Sequence, residues 1–126
     1  MKIKTNELTG AALDWAVAEA SGATYSFDGA TADDCFLEFP TTAMSLPSYN
    51  PSTDWAQGGP IIGWEALSLI RRPDGQWTSD NFSILTRSQQ LNFGPTPLIA
   101  AMRCFCCAKL GDEIDIPEEL CQSQNS

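Results

Sequence analysis

Residues 49–60, YNPSTDWAQGGP, concentrate the groups best suited to holding a ligand. Ser52, Thr53, Asp54 and Gln57 offer hydrogen-bond donors and acceptors. Tyr49 and Trp55 offer flat faces on which a ring can stack, worth ~1–3 kcal/mol per nucleic-acid base. Gly58 and Gly59 carry no side chain, so a ligand can approach their backbone amides closely. Polar groups beside aromatic walls are the composition of a small-molecule pocket. The alternative is a structural loop, with Asp54 or Ser52 capping a turn and Trp55 filling the core. Asp14 and Arg103 are charges set in otherwise apolar or small-residue stretches. Buried charges are costly unless paired, so a mutual salt bridge is one expectation. The others are plain surface exposure, or an Arg103 that meets an anionic ligand group through its planar fork.

Other chemistries are poorly supplied. Cys104, Cys106 and Cys107 cluster, but structural zinc wants four ligands and the chain has no histidine. Cys35 and Cys121 would have to converge on them from distant parts of the chain. Buried small hydrophobes are the expectation, with no metal and no cofactor. Without histidine, the commonest general base and the usual activator of Ser or Cys nucleophiles are missing. The acid pairs Asp33 with Asp34, Asp112 with Glu113 and Glu118 with Glu119 lie in solvent-like or terminal stretches. Two distant acids converging as in a glycosidase stay open as an alternative. Gly58 and Gly59 lack a following Lys-Ser/Thr, so they do not make a P-loop.

The elements that must position these residues are partly legible. Residues 10–20 are alanine-rich, with Leu13, Ala16, Val17 and Ala20 on one face and Gly22 placed as a C-terminal cap, which predicts a helix. Residues 96–110 predict a second, with Thr96 as N-cap, Pro97 at the first position and Gly111 just past the end. In it Ile99, Met102, Cys106 and Leu110 form an apolar stripe. Short strands are expected at 2–4, at 24–27 and 35–39 around Asp28-Gly29, and at 112–116. Residues 64–70 and 76–78 read as a hairpin about Pro73-Asp74-Gly75, with another strand at 82–85 and a helical turn at 118–120. Pro40, Pro47, Pro51 and Pro60 punctuate what reads as one long loop, and long loops are often functional.

The chain has 126 residues and is 43% hydrophobic, which predicts one folded domain over 1–121 and a disordered polar tail at 122–126. Sixteen acids against seven bases leave a net charge of −9. Such a field argues against nucleic acid and anionic membranes as partners. No stretch approaches the ~20 apolar residues of a membrane span, and the first five residues lack the apolar core of a signal peptide. A cytoplasmic protein with reduced thiols is expected.

Three blocks carry a family resemblance. They are MKIKT at 1–5 with LTG at 8–10 and ALDWAVA at 12–18; Tyr49 with PSTDWAQGGPII at 51–62; and GPTPLIAAMRC at 94–104, running on to KLGDE at 109–113. In these the chain resembles the NinX family of lambdoid phages. It departs from the family at Gly63-Trp64-Glu65, where a glutamate tends to follow PII directly, and at Cys106 and Cys107, where Val and Ala are usual. The resemblance implies a phage accessory protein from the early, nonessential gene region, and supplies no activity.

The expected fold is α+β, a small, mostly antiparallel sheet with two main helices on one face. The expected function is non-catalytic binding of a small nucleotide-like host signal, sequestering it against host defence. Tyr49, Ser52, Thr53, Asp54, Trp55, Gln57, Gly58 and Gly59 would hold it, with Arg71, Arg72 or Arg103 meeting phosphate. A homo-oligomer with ligand at the subunit boundary is expected. The alternatives are an acidic inhibitor or adaptor of a host protein, and a small hydrolase.

Overall fold

Helix formation at 96–110 follows its sequence signals closely. In the computed structural model, which describes residues 1–82 and 89–121, the Thr96 hydroxyl accepts the Ile99 amide at 3.1 Å. Pro97 occupies the first turn, and Gly111 ends the helix at φ +99°, a conformation glycine adopts without penalty. We number the helices α1 (Gly10–Ala20), α2 (Trp55–Glu65), α3 (Pro97–Leu110) and α4 (Glu118–Cys121). Alanine and cysteine at 100, 101, 104 and 106 are fully buried, and their small size lets neighbours come close on several sides of α3. α1 packs on it, buried from Ala12 through Ala18. Leu8, Leu13, Met102 and Leu120 complete the same core, each worth ~1.5–3 kcal/mol on full burial.

The strands fall into three small antiparallel sheets rather than one. β1 (Lys2–Lys4) pairs with β8 (Glu113–Asp115), placing Ile3 opposite Ile114. The Thr5 amide and hydroxyl extend that ladder to the Asp112 and Gly111 carbonyls, at 2.8 and 2.7 Å. β2 (Thr24–Phe27), β3 (Cys35–Glu38) and β4 (Ala43–Ser45) form the second sheet in chain order. The β2–β3 connection is longer than an Asp-Gly turn and contains a 3-10 turn at Ala32–Asp34, fastened by the Thr31 amide and hydroxyl donating to Asp34 at 3.0 Å. β5 (Ser68–Arg71), β6 (Trp77–Phe82) and β7 (Gln89–Gly94) form the third, against which α3 lies. The α+β class is thus shown, with four helices and three sheets among the described residues.

The largest departure from expectation is α2. Residues 52–60 read as loop, yet helix begins at Trp55 and runs through Gly58, Gly59 and Pro60 to Glu65. Trp64 therefore belongs to a helix instead of opening a strand. Ala66 closes α2 in the left-handed region at φ +52°, and the hairpin strand starts at Ser68. The expected strand at 82–85 is met only by Phe82, the last residue of β6; residues 83–85 and the tail at 122–126 lie outside the described residues. Among the described residues no helix is long and apolar enough to cross a membrane.

Candidate ligand site around Ser52

The short segment between the 3-10 turn at Leu46–Ser48 and α2 is held by side chains at both ends. Asp54 caps α2, its carboxylate accepting the Ala56 amide at 3.0 Å. Gln57, one turn in, accepts the Asn50 amide at 2.8 Å and donates to the Ser48 carbonyl and the Asn50 side chain, both at 3.0 Å. Gly58 is buried, with its amide on the Asp54 carbonyl at 2.9 Å. A Cβ there would fall 2.4 Å from the Pro51 carbonyl oxygen and 2.7 Å from Leu98 Cδ2. The amide expected to face a ligand is thus committed to the helix, and the missing side chain instead lets α2 press onto the Pro51 backbone and α3. Gly59 sits within α2, where an added Cβ would be 4.0 Å from the Trp55 ring. Tyr49 packs its ring on Phe39, centroids 5.0 Å apart, and its hydroxyl bonds to Ser21. Burial pushes that phenol up to about 12.

Asp14 and Arg103 do not pair; each serves the backbone instead. Arg103 is 6% exposed and donates from Nε to the Leu8 carbonyl at 2.9 Å and from Nη1 to the Phe93 carbonyl at 2.8 Å. It ties the entry to α1 to the end of β7, with burial lowering its pKa and Glu7 opposing that shift. The geometry that suggested a salt bridge, two charges on packed apolar helices, is resolved by carbonyl acceptors for one and an amide donor for the other. Asp14, also 6% exposed, accepts the Ser52 amide at 2.9 Å. Burial pushes its carboxyl up to about 6, with the Ser52 amide and adjacent hydroxyl acting the other way.

Ser52 is 2% exposed, and its hydroxyl lies against the Asp14 carboxyl, a contact that favours the carboxylate. It borders two clefts. One, of about 250 Å³, has a polar wall of Asp14, Asp33, Asn50, Ser52 and Thr53 and is closed by Leu46, Pro47 and the first turn of α1. The other, of about 220 Å³, lies between Trp55 and the first turn of α3, with Pro97, Leu98 and Ile99 opposite the indole. Trp55 is 54% exposed, so it walls a cleft and does not fill the core. Of the residues the sequence singled out, Ser52, Thr53 and Trp55 therefore meet at the clefts. Tyr49, Asp54, Gln57 and Gly58 build the frame behind them. Arg103 lies elsewhere, and exposed Arg71 and Arg72 line neither cleft. Asn50, residues 96–99 and the contact of Asp14 with Ser52 were missed; an acid in an alanine-rich helix was the only local signal. A larger hollow of about 490 Å³ lies along β1 and shares no residue with the pair.

The family described as Bacteriophage P22, NinX matches residues 4–109. The chain belongs to that family. The NinX match spans every residue lining both clefts, as well as α1, α2 and all but the last residue of α3, and leaves β8 and α4 beyond it. NinX membership makes this a phage accessory protein. No curated protein matches the chain. Among the described residues no three of His, Cys, Asp and Glu gather as a metal site, and none of the five cysteines is in a disulfide, with Cys35, Cys104 and Cys106 buried.

The Asp14 carboxyl makes stability depend on pH in an unusual sense for an acid. Its folded value, about 6, lies above its ordinary 3.8. Between those values the folded protein holds a proton that the unfolded chain releases. Stability therefore falls as pH rises through that window and stays reduced above it. Asp14→Asn retains an acceptor for the Ser52 amide and carries no charge. It is expected to be more stable than the parent at pH 7.5 by on the order of 2 kcal/mol, and about equal at pH 4. Urea unfolding at the two pH values measures this; parallel behaviour of the two proteins would show that Asp14 is solvated.

Proposed function

We propose that this NinX-family protein is a non-catalytic binder that sequesters a small nucleotide-like ligand in the clefts around Ser52. The observation that carries the reading is the pair of clefts that meet at Ser52 and Thr53, one of them walled by the half-exposed Trp55 indole. Trp55 stands on the first turn of α2, which Asp54 and Gln57 tie down, as a stacking platform for a base. Capture of a host defence signal needs affinity rather than turnover, which suits a chain with no histidine to relay a proton. Each cleft is smaller than the ~300–1,000 Å³ of typical ligand pockets, and the two together fall within that range. A second copy closing over Trp55 would complete the enclosure.

Titration calorimetry of the folded protein against nucleosides, mononucleotides, cyclic nucleotides and ADP-ribose derivatives tests the reading. Heat with at least one class is expected. Trp55→Ala should weaken that binding about 10- to 100-fold, from a lost stack of ~1–3 kcal/mol, while shifting the urea midpoint little. Silence across the whole panel removes the proposal. One observation favours the adaptor reading: Trp64, at the other end of α2, is 81% exposed beside the Lys109–Glu65 ion pair. That reading expects salt-sensitive affinity for a basic host protein, lost in Trp64→Ala and kept in Trp55→Ala.

A further inference from the structure

We infer that two copies of this protein join edge to edge through β5, antiparallel about a two-fold axis at Ile70, so that their third sheets become one. No residue of β5 lines either cleft, and the pairing stands independently of the proposed ligand.

β5 is an edge of the third sheet, and among the described residues no strand pairs with its far side. An edge strand offers a row of N–H and C=O groups to any chain that fits it. Which groups are on offer follows from the hairpin. The Arg72 amide donates to the Gln76 carbonyl at 2.7 Å, so Arg72, Ile70 and Ser68 turn their backbone groups toward β6. Leu69 and Arg71 turn theirs outward. The side chains alternate as well. Leu69 shares a row with Ser79 and Asn92, which meet the Cys104 and Cys107 thiols of α3. Ile70 shares a row with Thr78 and Phe93 on the face turned away from α3. There Ile70 is 58% and Phe93 45% exposed.

A second β5 bonds to the first only where outward groups meet outward groups, which leaves two-folds at Leu69, Ile70 or Arg71. A two-fold at Arg71 sets arginine against arginine, and like charges directly opposite repel. One at Leu69 calls on the Leu67 amide, which already donates to the Ile62 carbonyl at 3.1 Å. One at Ile70 meets neither obstacle and bonds Leu69 to the partner's Arg71, and the reverse. It sets Ile70 beside the partner's Ile70 in a close, non-hydrogen-bonded pair. The exposed row then runs from Phe93 through Thr78 and Ile70 and on across the partner in reverse order. Arg72 falls opposite the partner's Ser68, with the partner's Asp80 next in that row. Opposite charges thus flank the axis on both sides, on a protein whose net charge of −9 otherwise holds copies apart. The same register brings the partner's Pro73-Asp74-Gly75 turn alongside Ala66 and Leu67, at the end of α2 where Trp64 stands 81% exposed.

Sedimentation equilibrium of the intact protein tests this. A concentration-dependent dimer is expected, with a dissociation constant on the order of 1–100 µM for so short a seam. Arg71→Pro deletes an outward amide, where an edge strand tolerates proline, and should weaken the dimer about tenfold or more. Ile70→Lys and Ile70→Glu each set like charges together across the axis, so each alone should be monomeric where the parent is dimeric. Mixed, the two should dimerise again, because position 70 faces itself. Ile70 and Arg71 are exposed, so all three variants should keep the circular dichroism of the parent. A parent that stays monomeric up to about 1 mM overturns the inference. So does a dimer that survives all three substitutions, or a mixture of the Lys and Glu variants that stays monomeric.

Discussion

Gly58→Ala is expected to destabilise the protein by about 3 kcal/mol, while Gly59→Ala, one residue on, stabilises it by ~0.5–1 kcal/mol. In an exposed helix both changes would help, because alanine is the better helix former by about 1 kcal/mol. At Gly59 nothing opposes that gain: the new methyl makes an ordinary contact with the Trp55 ring at 4.0 Å. At Gly58 the methyl would lie 2.4 Å from the Pro51 carbonyl oxygen. The Leu98 methyl on the other side can turn away, but the Pro51 carbonyl belongs to a backbone pinned on the next residue by the Ser52 amide on Asp14. α2 must then lift off the segment that carries Ser52 and Thr53. Urea unfolding of the two variants side by side reads the contrast. Equal and positive effects would mean that α2 stands farther from Pro51 than described.

Arg103→Met should cost about 3–5 kcal/mol, although methionine fills a similar length of apolar stem. The loss comes from the acceptors left behind. Leu8 is fully buried, and its carbonyl and that of Phe93 each receive a charge-assisted hydrogen bond from the guanidinium. Stranding such groups costs ~1–3 kcal/mol apiece. Arg103→Lys should recover only part of this, because one ammonium lacks the fork that reaches both carbonyls at once. A Met variant within 1 kcal/mol of the parent in urea would show that water replaces the arginine at no loss, and hence that this side chain faces solvent. Asp14→Met makes a useful partner: were the two charges coupled, the double variant would be less damaged than the sum of the singles, and the geometry here expects simple additivity.

The elements legible in the sequence were those whose signals are local. Thr96, Pro97 and Gly111 each mark an end of α3 by their own chemistry, and α1 announces itself by alanine. α2 has two adjacent glycines, a proline and a third glycine in eleven residues, a composition that disfavours helix by several kcal/mol. It forms because tertiary contact outweighs propensity: Gly58 must be small for α2 to approach Pro51 and Leu98, and Asp54 with Gln57 binds the first turn to the segment before it. The site was half visible for the same reason. Ser52, Thr53 and Trp55 were found as polar and aromatic neighbours along the chain. The Asp14 contact with Ser52 spans 38 residues and leaves no local trace. The polar groups Asp54 and Gln57 looked available to a ligand only because the helix they build was unseen. Likewise, alternation predicted strands correctly at β1, β2 and β8 but not that they would be shared among three sheets, which depends on which edges meet.

The pairing of β1 with β8 sets the order in which the structure can be finished. Residues 2–4 are made well before their backbone partners at 113–115, and the Ile116 amide closes on the Met1 carbonyl at 2.8 Å. Until those partners are made, β1 is an unmatched edge, able to pair with any exposed strand it meets. Helices α1 and α3 can dock before then, so the clefts can be assembled while this seam is still open. The seam thus acts as a latch thrown by the later-made of its two strands.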